Sequence, residues 1–172
     1  IKFKSHPLSA KKTLLSLKAL QDAPQLQLVY CGYKTPTPMV IEQVAKSAEQ
    51  EPQRFAQLYE QMGACVETTV DALVREDWWT LSRSMNQYQM LMRAIGVSDK
   101  TIESIIQLAQ KKAPLDTLFG AKISGSGLGD CVLLLGSEPL DWPHAQISIQ
   151  IDPQGLRQET HLPSQTLVEN PL

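Results

Sequence analysis

The chain has 172 residues, 42% of them apolar and 20% charged, a length and composition that fit one globular domain with its own core. A formal net charge of -2 excludes the basic footprint of a nucleic-acid binder. No apolar run approaches the roughly 18 residues of a membrane span, and the opening Ile1-Lys2-Phe3-Lys4 has no signal-peptide core.

In chain order, Ile1 to Lys4 alternates like a strand already under way, so the chain reads as a piece of something longer. Lys11 to Leu20 is a short, untidy helix candidate that Ala23-Pro24 breaks. Leu26 to Cys31 reads as a strand ended by Gly32. Thr37 is then the expected N-cap of a helix with Pro38 at its first position. Pro52 opens a longer helix whose apolar set is Phe55, Leu58, Met62, Cys65, Val66, Thr69 and Leu73. A third helix starts near Asp77, carries Leu81, Met85, Tyr88, Met92 and Ile95, and stops at Gly96. A fourth runs from about Ser98 to Lys112, capped by Ser98 or Asp99.

After residue 118 the pattern changes to strands. Gly120 to Ser124 enters a glycine loop, and Cys131 to Leu135 leaves it. Ala145 to Ile151 alternates strictly, as a strand buried on one face does. Asp152-Pro153-Gln154-Gly155 is a turn, Leu156 to Thr160 an edge strand, and the rest a tail. The expected architecture is α+β: about four helices packed on one face of a mostly antiparallel sheet. One domain is expected over residues 1–160, with 161–172 as tail.

The chemistry sits in Ser124-Gly125-Ser126-Gly127-Leu128-Gly129. A dinucleotide loop needs a helix after it, and here a short buried strand follows. The Walker pattern, ending in Gly-Lys-Ser/Thr, is missing. Two readings remain open. Alternate glycines let successive amides cradle an anion, with Ser124 and Ser126 as hydroxyl donors; or they only serve the bends of a wide hairpin.

Lys122 alternates away from Ala121 and Ile123 and faces either a cleft or open solvent. Asn86 lies one position off the apolar stripe of its helix, as a cleft residue or a surface amide. Thr35 and Thr37 either touch a ligand or serve the helix start. Asp130 reads first as a turn-stabilising residue, with orientation of magnesium or a donor hydroxyl as the other reading. His6, His144 and His161 have no ligand spacing. Cys31, Cys65 and Cys131 are odd in number and widely spaced, without a C-x-x-C pair, which argues against a disulfide framework or a zinc site and suits a reducing cytoplasm.

Gly120 to Val132 resembles the third conserved motif of the GHMP kinases, the superfamily of galactokinase, homoserine kinase, mevalonate kinase and phosphomevalonate kinase. Met85-Asn86-Gln87, Leu91 and Ile95-Gly96-Val97-Ser98 are similar to the helix and turn before that motif in mevalonate kinases. Gly32-Tyr33-Lys34-Thr35-Pro36-Thr37 is similar to the family's strand end and following helix. The resemblance runs in order over roughly residues 27 to 136. It implies the C-terminal, ferredoxin-like domain of a two-domain enzyme that moves the γ-phosphate of ATP, with Mg2+, to a small acceptor. By that likeness residues 124–129 lie at the phosphates, and Thr35, Asn86 and Lys122 are candidates for the acceptor pocket. The main ATP loop, the magnesium ligands and the catalytic residues belong to an N-terminal domain that matches nothing in this sequence. Asn86-Gln87 and Gly96-Val97-Ser98 favour a mevalonate-like acceptor; Leu128 and Asp130 replace two glycines of the usual mevalonate kinase loop, and Gly129-Asp130-Cys131 is closer to phosphomevalonate kinases. A homodimer is compatible; a membrane or nucleic-acid partner is not expected. The competing class is a stand-alone module that binds an anion or a partner chain.

Overall fold

The computed structural model describes residues 24–113, 117–136 and 143–149. The expected strand at 1–4, helix over 11–20, turn at 152–155, edge strand at 156–160 and tail all lie outside the described residues. Within them the order is β1 (Gln25–Lys34), α1 (Thr37–Gln50), α2 (Pro52–Val74), α3 (Trp78–Ala94), α4 (Lys100–Lys112), β2 (Phe119–Ser124), β3 (Gly129–Gly136) and β4 (Gln146–Ser148). The strands form an antiparallel sheet in the order β2-β3-β1-β4. The molecule is therefore α+β, as its residue pattern predicts.

Helix boundaries follow local chemistry. The Asp77 carboxylate accepts the Thr80 N–H at 2.9 Å and starts α3. Gly96, at φ 87, lets the chain turn out of α3. The Asp99 carboxylate accepts the N–H groups of Thr101 and Ile102, each at 3.0 Å, and starts α4. Two expectations change. Thr37 is already helical, Pro36 takes the N-cap position, and no side chain caps α1. Gly32 does not end β1. At φ 91 it sits inside a register shift between Tyr30 and Lys34, and the strand continues to Lys34. A glycine absorbs the extra residue of such a bulge without a Cβ clash.

The main core lies where α4 crosses the sheet. Ile102, Ile105 and Ala109 of α4, with Val29, Ala121, Ile123 and Val132, are fully buried in one cluster. Their spacing of three and four puts one helical face on the strands. Leu135, next to Leu134 on β3, points the other way and packs with Ala72, Leu81 and Met85 in a second cluster. Val66, counted in the apolar set of α2, is 48% exposed, because the helix turns Cys65 rather than Val66 inward. Ile147 is likewise half-exposed on β4, which lies at the sheet edge. Among the described residues no helix is long and apolar enough to cross a membrane.

Candidate functional site

The loop between β2 and β3 carries the candidate site. Its backbone lies in the left-handed region at Gly125, Gly127, Leu128, Gly129 and Asp130. Left-handed geometry at the non-glycine Leu128 and Asp130 costs about 1–2 kcal/mol each and persists only where neighbours fix it. Those neighbours come from two directions. The Leu128 N–H donates to the Val97 carbonyl at 2.8 Å, in the turn between α3 and α4. The Leu128 carbonyl accepts from Thr35 Oγ1 at 2.6 Å, at the end of β1.

The approach is close enough to require glycine at two places. A Cβ on Gly127 would stand 2.3 Å from the Val97 oxygen. A Cβ on Gly129 would stand 2.7 Å from the Tyr33 ring. Tyr33 is fixed in turn, because its hydroxyl donates to Asp99 Oδ2 at 2.6 Å. Lys34 Nζ lies 2.9 Å from Asp130 Oδ2, so the one carboxylate on the loop is neutralised by an exposed ammonium. Hydrogen bonding to Asp130 raises the Lys34 pKa above its ordinary value. Thr37 Oγ1 and Ser126 Oγ stand 3.4 Å apart, which places the uncapped start of α1 against the loop. The N–H groups of Gly125, Ser126 and Gly127 have no hydrogen-bond partner among the described residues. A turn of this kind, with free amides beside a helix N-terminus, suits a phosphate group.

Of the residues expected in the acceptor pocket, only Thr35 is brought to the loop. Asn86 serves the free edge of β2 instead. Its Oδ1 accepts the Ala121 N–H at 2.8 Å and its Nδ2 donates to the Phe119 carbonyl at 3.1 Å. Gln89, one turn on, accepts the Ile123 N–H at 2.9 Å. Two amide side chains of α3 thus continue the hydrogen-bonding ladder of an edge strand. Lys122 Nζ donates to the Ile123 carbonyl at 2.7 Å and lies 5.8 Å from the centre of the Tyr88 ring. Burial lowers its pKa.

Sequence reasoning missed Tyr33 and Lys34 as loop contacts and the edge-capping role of Gln89. The only available signal was polar residues clustered at a strand end. No group of three His, Cys, Asp or Glu side chains could hold a metal among the described residues. Asp130 alone, already paired with Lys34, does not make a magnesium site. The buried cysteines are poor nucleophiles: burial, then the Asp99 charge, pushes Cys31 up to about 11.

Residues 69–141 match the family described as GHMP kinases C terminal. A mevalonate kinase of Thermococcus onnurineus is 30% identical over 147 residues, covering 78% of this chain and 43% of that protein. A mevalonate kinase of Thermococcus gammatolerans is 27% identical over the same shares. The crystal structure of L. major mevalonate kinase in complex with R-mevalonate superposes with a TM-score of 0.62 at 32% identity, covering 67% of this chain and 34% of that one. The chain thus spans less than half the length of these relatives. Over the matched residues the chain is similar to the C-terminal domain of the GHMP kinases.

Proposed function

We propose that this chain is the C-terminal half of an ATP-dependent small-molecule kinase whose acceptor is a mevalonate-like alcohol. The observation that carries the reading is the two-sided hold on Leu128, from Val97 and from Thr35, which presents the preceding amides as a preformed anion cradle. The acceptor class is supported by relatives that are mevalonate kinases, one of them crystallised with R-mevalonate.

Phosphoryl transfer is mostly positioning and charge stabilisation. ATP supplies the γ-phosphoryl group when bound. The amides of Gly125, Ser126 and Gly127, with the hydroxyls of Ser124 and Ser126, hold phosphate oxygens in this reading. Leu128 and Gly129 set the path of the backbone. Thr35 keeps its hydroxyl on the loop carbonyl and lines the acceptor side. Lys122 supplies the positive charge of β2 toward the acceptor, and Asn86 has one N–H left once Phe119 is served. The catalytic base and magnesium ligands belong to the N-terminal domain that the family resemblance implies.

The test is an ADP-release assay on the full-length protein with mevalonate, phosphomevalonate and galactose. Turnover of mevalonate is expected. Turnover of phosphomevalonate alone would move the acceptor within the family. Failure to bind or turn over ATP with any acceptor would overturn the kinase reading in favour of a stand-alone anion-binding module. The 172-residue chain by itself is expected to be inactive, and detectable mevalonate phosphorylation by it would overturn the proposed division of labour.

A further inference from the structure

We infer that Glu103 is a positioning residue of the glycine loop: a single carboxylate that braces both flanks of the loop from behind. The inference rests on the loop being the phosphate cradle, and its test separates the two.

Glu103 lies in the first turn of α4. Its Oε1 accepts from Ser98 Oγ at 2.5 Å. The same oxygen accepts from Gln89 Nε2 at 3.4 Å and from Arg93 Nε at 3.0 Å, and Oε2 receives Arg93 Nη2. Gln89 Nε2 also donates to Ser98 Oγ at 3.1 Å. Two arms leave this cluster. Through Gln89, which is 3% exposed, the cluster reaches the Ile123 N–H, just before Ser124 and the loop's entry. Through Ser98 it fixes the turn whose Val97 carbonyl accepts the Leu128 N–H at the loop's exit.

The chemistry asks for a carboxylate at this place. Gln89 uses its carbonyl on β2, so its amide must find acceptors elsewhere, and Ser98 Oγ and Glu103 provide them. A buried amide left half-satisfied would be free to rotate, and β2 would lose its edge partner next to the loop. Burial pushes the Glu103 carboxyl up, but Arg93, Ser98 and Gln89 together outweigh it and hold the group below its ordinary value. Near neutral pH the brace is therefore charged. Arg93 is more than half exposed and supports the brace from the solvent side, while Ser98 and Gln89 carry it to the loop.

The variants are Glu103→Ala, Glu103→Gln and Arg93→Ala, with Ser98→Ala as a milder cut if Glu103→Ala fails to fold. Amide hydrogen exchange in the chain reads the brace directly. Glu103→Ala is expected to speed exchange at the Ile123 and Leu128 amides by about tenfold while the β1–β3 core amides stay protected. Glu103→Gln keeps an acceptor oxygen for Ser98 and restores much of that protection. Arg93→Ala leaves both amides near wild type. In the full-length enzyme, Glu103→Ala is expected to raise the KM for ATP by about tenfold with the acceptor KM little changed. Folded Glu103→Ala, or Ser98→Ala in its place, with unchanged exchange at Ile123 and Leu128 would overturn the inference. Faster exchange with an unchanged KM for ATP leaves the brace standing and removes the loop from the phosphates.

Discussion

The Thr35 hydroxyl donates to the Leu128 carbonyl at 2.6 Å and so ties the end of β1 to the tip of the β2–β3 loop. Leu128 holds a left-handed backbone that its side chain disfavours, and this bond is one of the two that keep it there. Thr35→Val keeps the shape and removes the donor. The Leu128 carbonyl is then left without it in a partly buried place, which costs about 1–2 kcal/mol. On the proposed kinase reading, a lower urea midpoint together with a higher KM for ATP in the full-length protein is expected. A lower midpoint with unchanged ATP kinetics would confine Thr35 to the fold.

Gly127 and Gly63 make opposite predictions for the same substitution. Gly127→Ala places a Cβ 2.3 Å from the Val97 oxygen, at φ 87. The left-handed backbone alone costs about 1–2 kcal/mol, and the clash must also push the loop away from Val97. On the proposed kinase reading, ATP binding by the full-length protein should fall sharply while the helical circular dichroism signal stays. Gly63 lies inside α2, and a Cβ there would meet nothing within 4 Å. Gly63→Ala should therefore stabilise the protein by about 0.5–1 kcal/mol, read as a higher Tm.

Much of the fold was legible because its signals are local. Pro52, Asp77, Gly96 and Asp99 mark helix ends by their own chemistry, and the spacing of Ile102, Ile105 and Ala109 marks a buried face. The hairpin around the glycine loop was legible from the short apolar run after it. What pairs distant segments was not. Thr37 has the composition of an N-cap, yet the bulge at Gly32 sets the end of β1 so that Thr37 enters the helix beside Ser126. Asn86 looked free because its helix was read alone. Its partners are backbone groups of a strand more than thirty residues away, which no helical periodicity reports.

Asn86→Ala separates two roles. If the amide mainly caps the sheet edge, the Ala121 N–H and Phe119 carbonyl both lose a partner, and stability falls by about 1–3 kcal/mol. Acceptor KM in the folded fraction should then stay near wild type. A rise in acceptor KM without loss of stability would return Asn86 to the acceptor pocket.

Acid should weaken the brace behind the loop. The folded Glu103 pKa lies below its ordinary value, despite burial, because Arg93 and Ser98 favour the charged form. Its contribution is thus fully present above the unfolded value of about 4.3 and is lost as pH falls through the folded value. Urea midpoints taken from about pH 6 down to about pH 3 should fall more steeply for wild type than for Glu103→Gln, which has no carboxylate to protonate. Parallel curves would remove Glu103 from the acid response.

Lys122→Met asks whether the lysine is kept for packing or for a ligand. Burial disfavours its ammonium and lowers its pKa, and among the described residues its hydrogen bond goes to the neighbouring Ile123 carbonyl. Methionine fills a similar space with no charge to desolvate, and its thioether can still lie on the Tyr88 ring. Stability should therefore hold or rise slightly. If Lys122 faces the acceptor, the same variant should raise acceptor KM by about tenfold, with ATP KM unchanged. A variant that is both stable and fully active would leave Lys122 no part in the site.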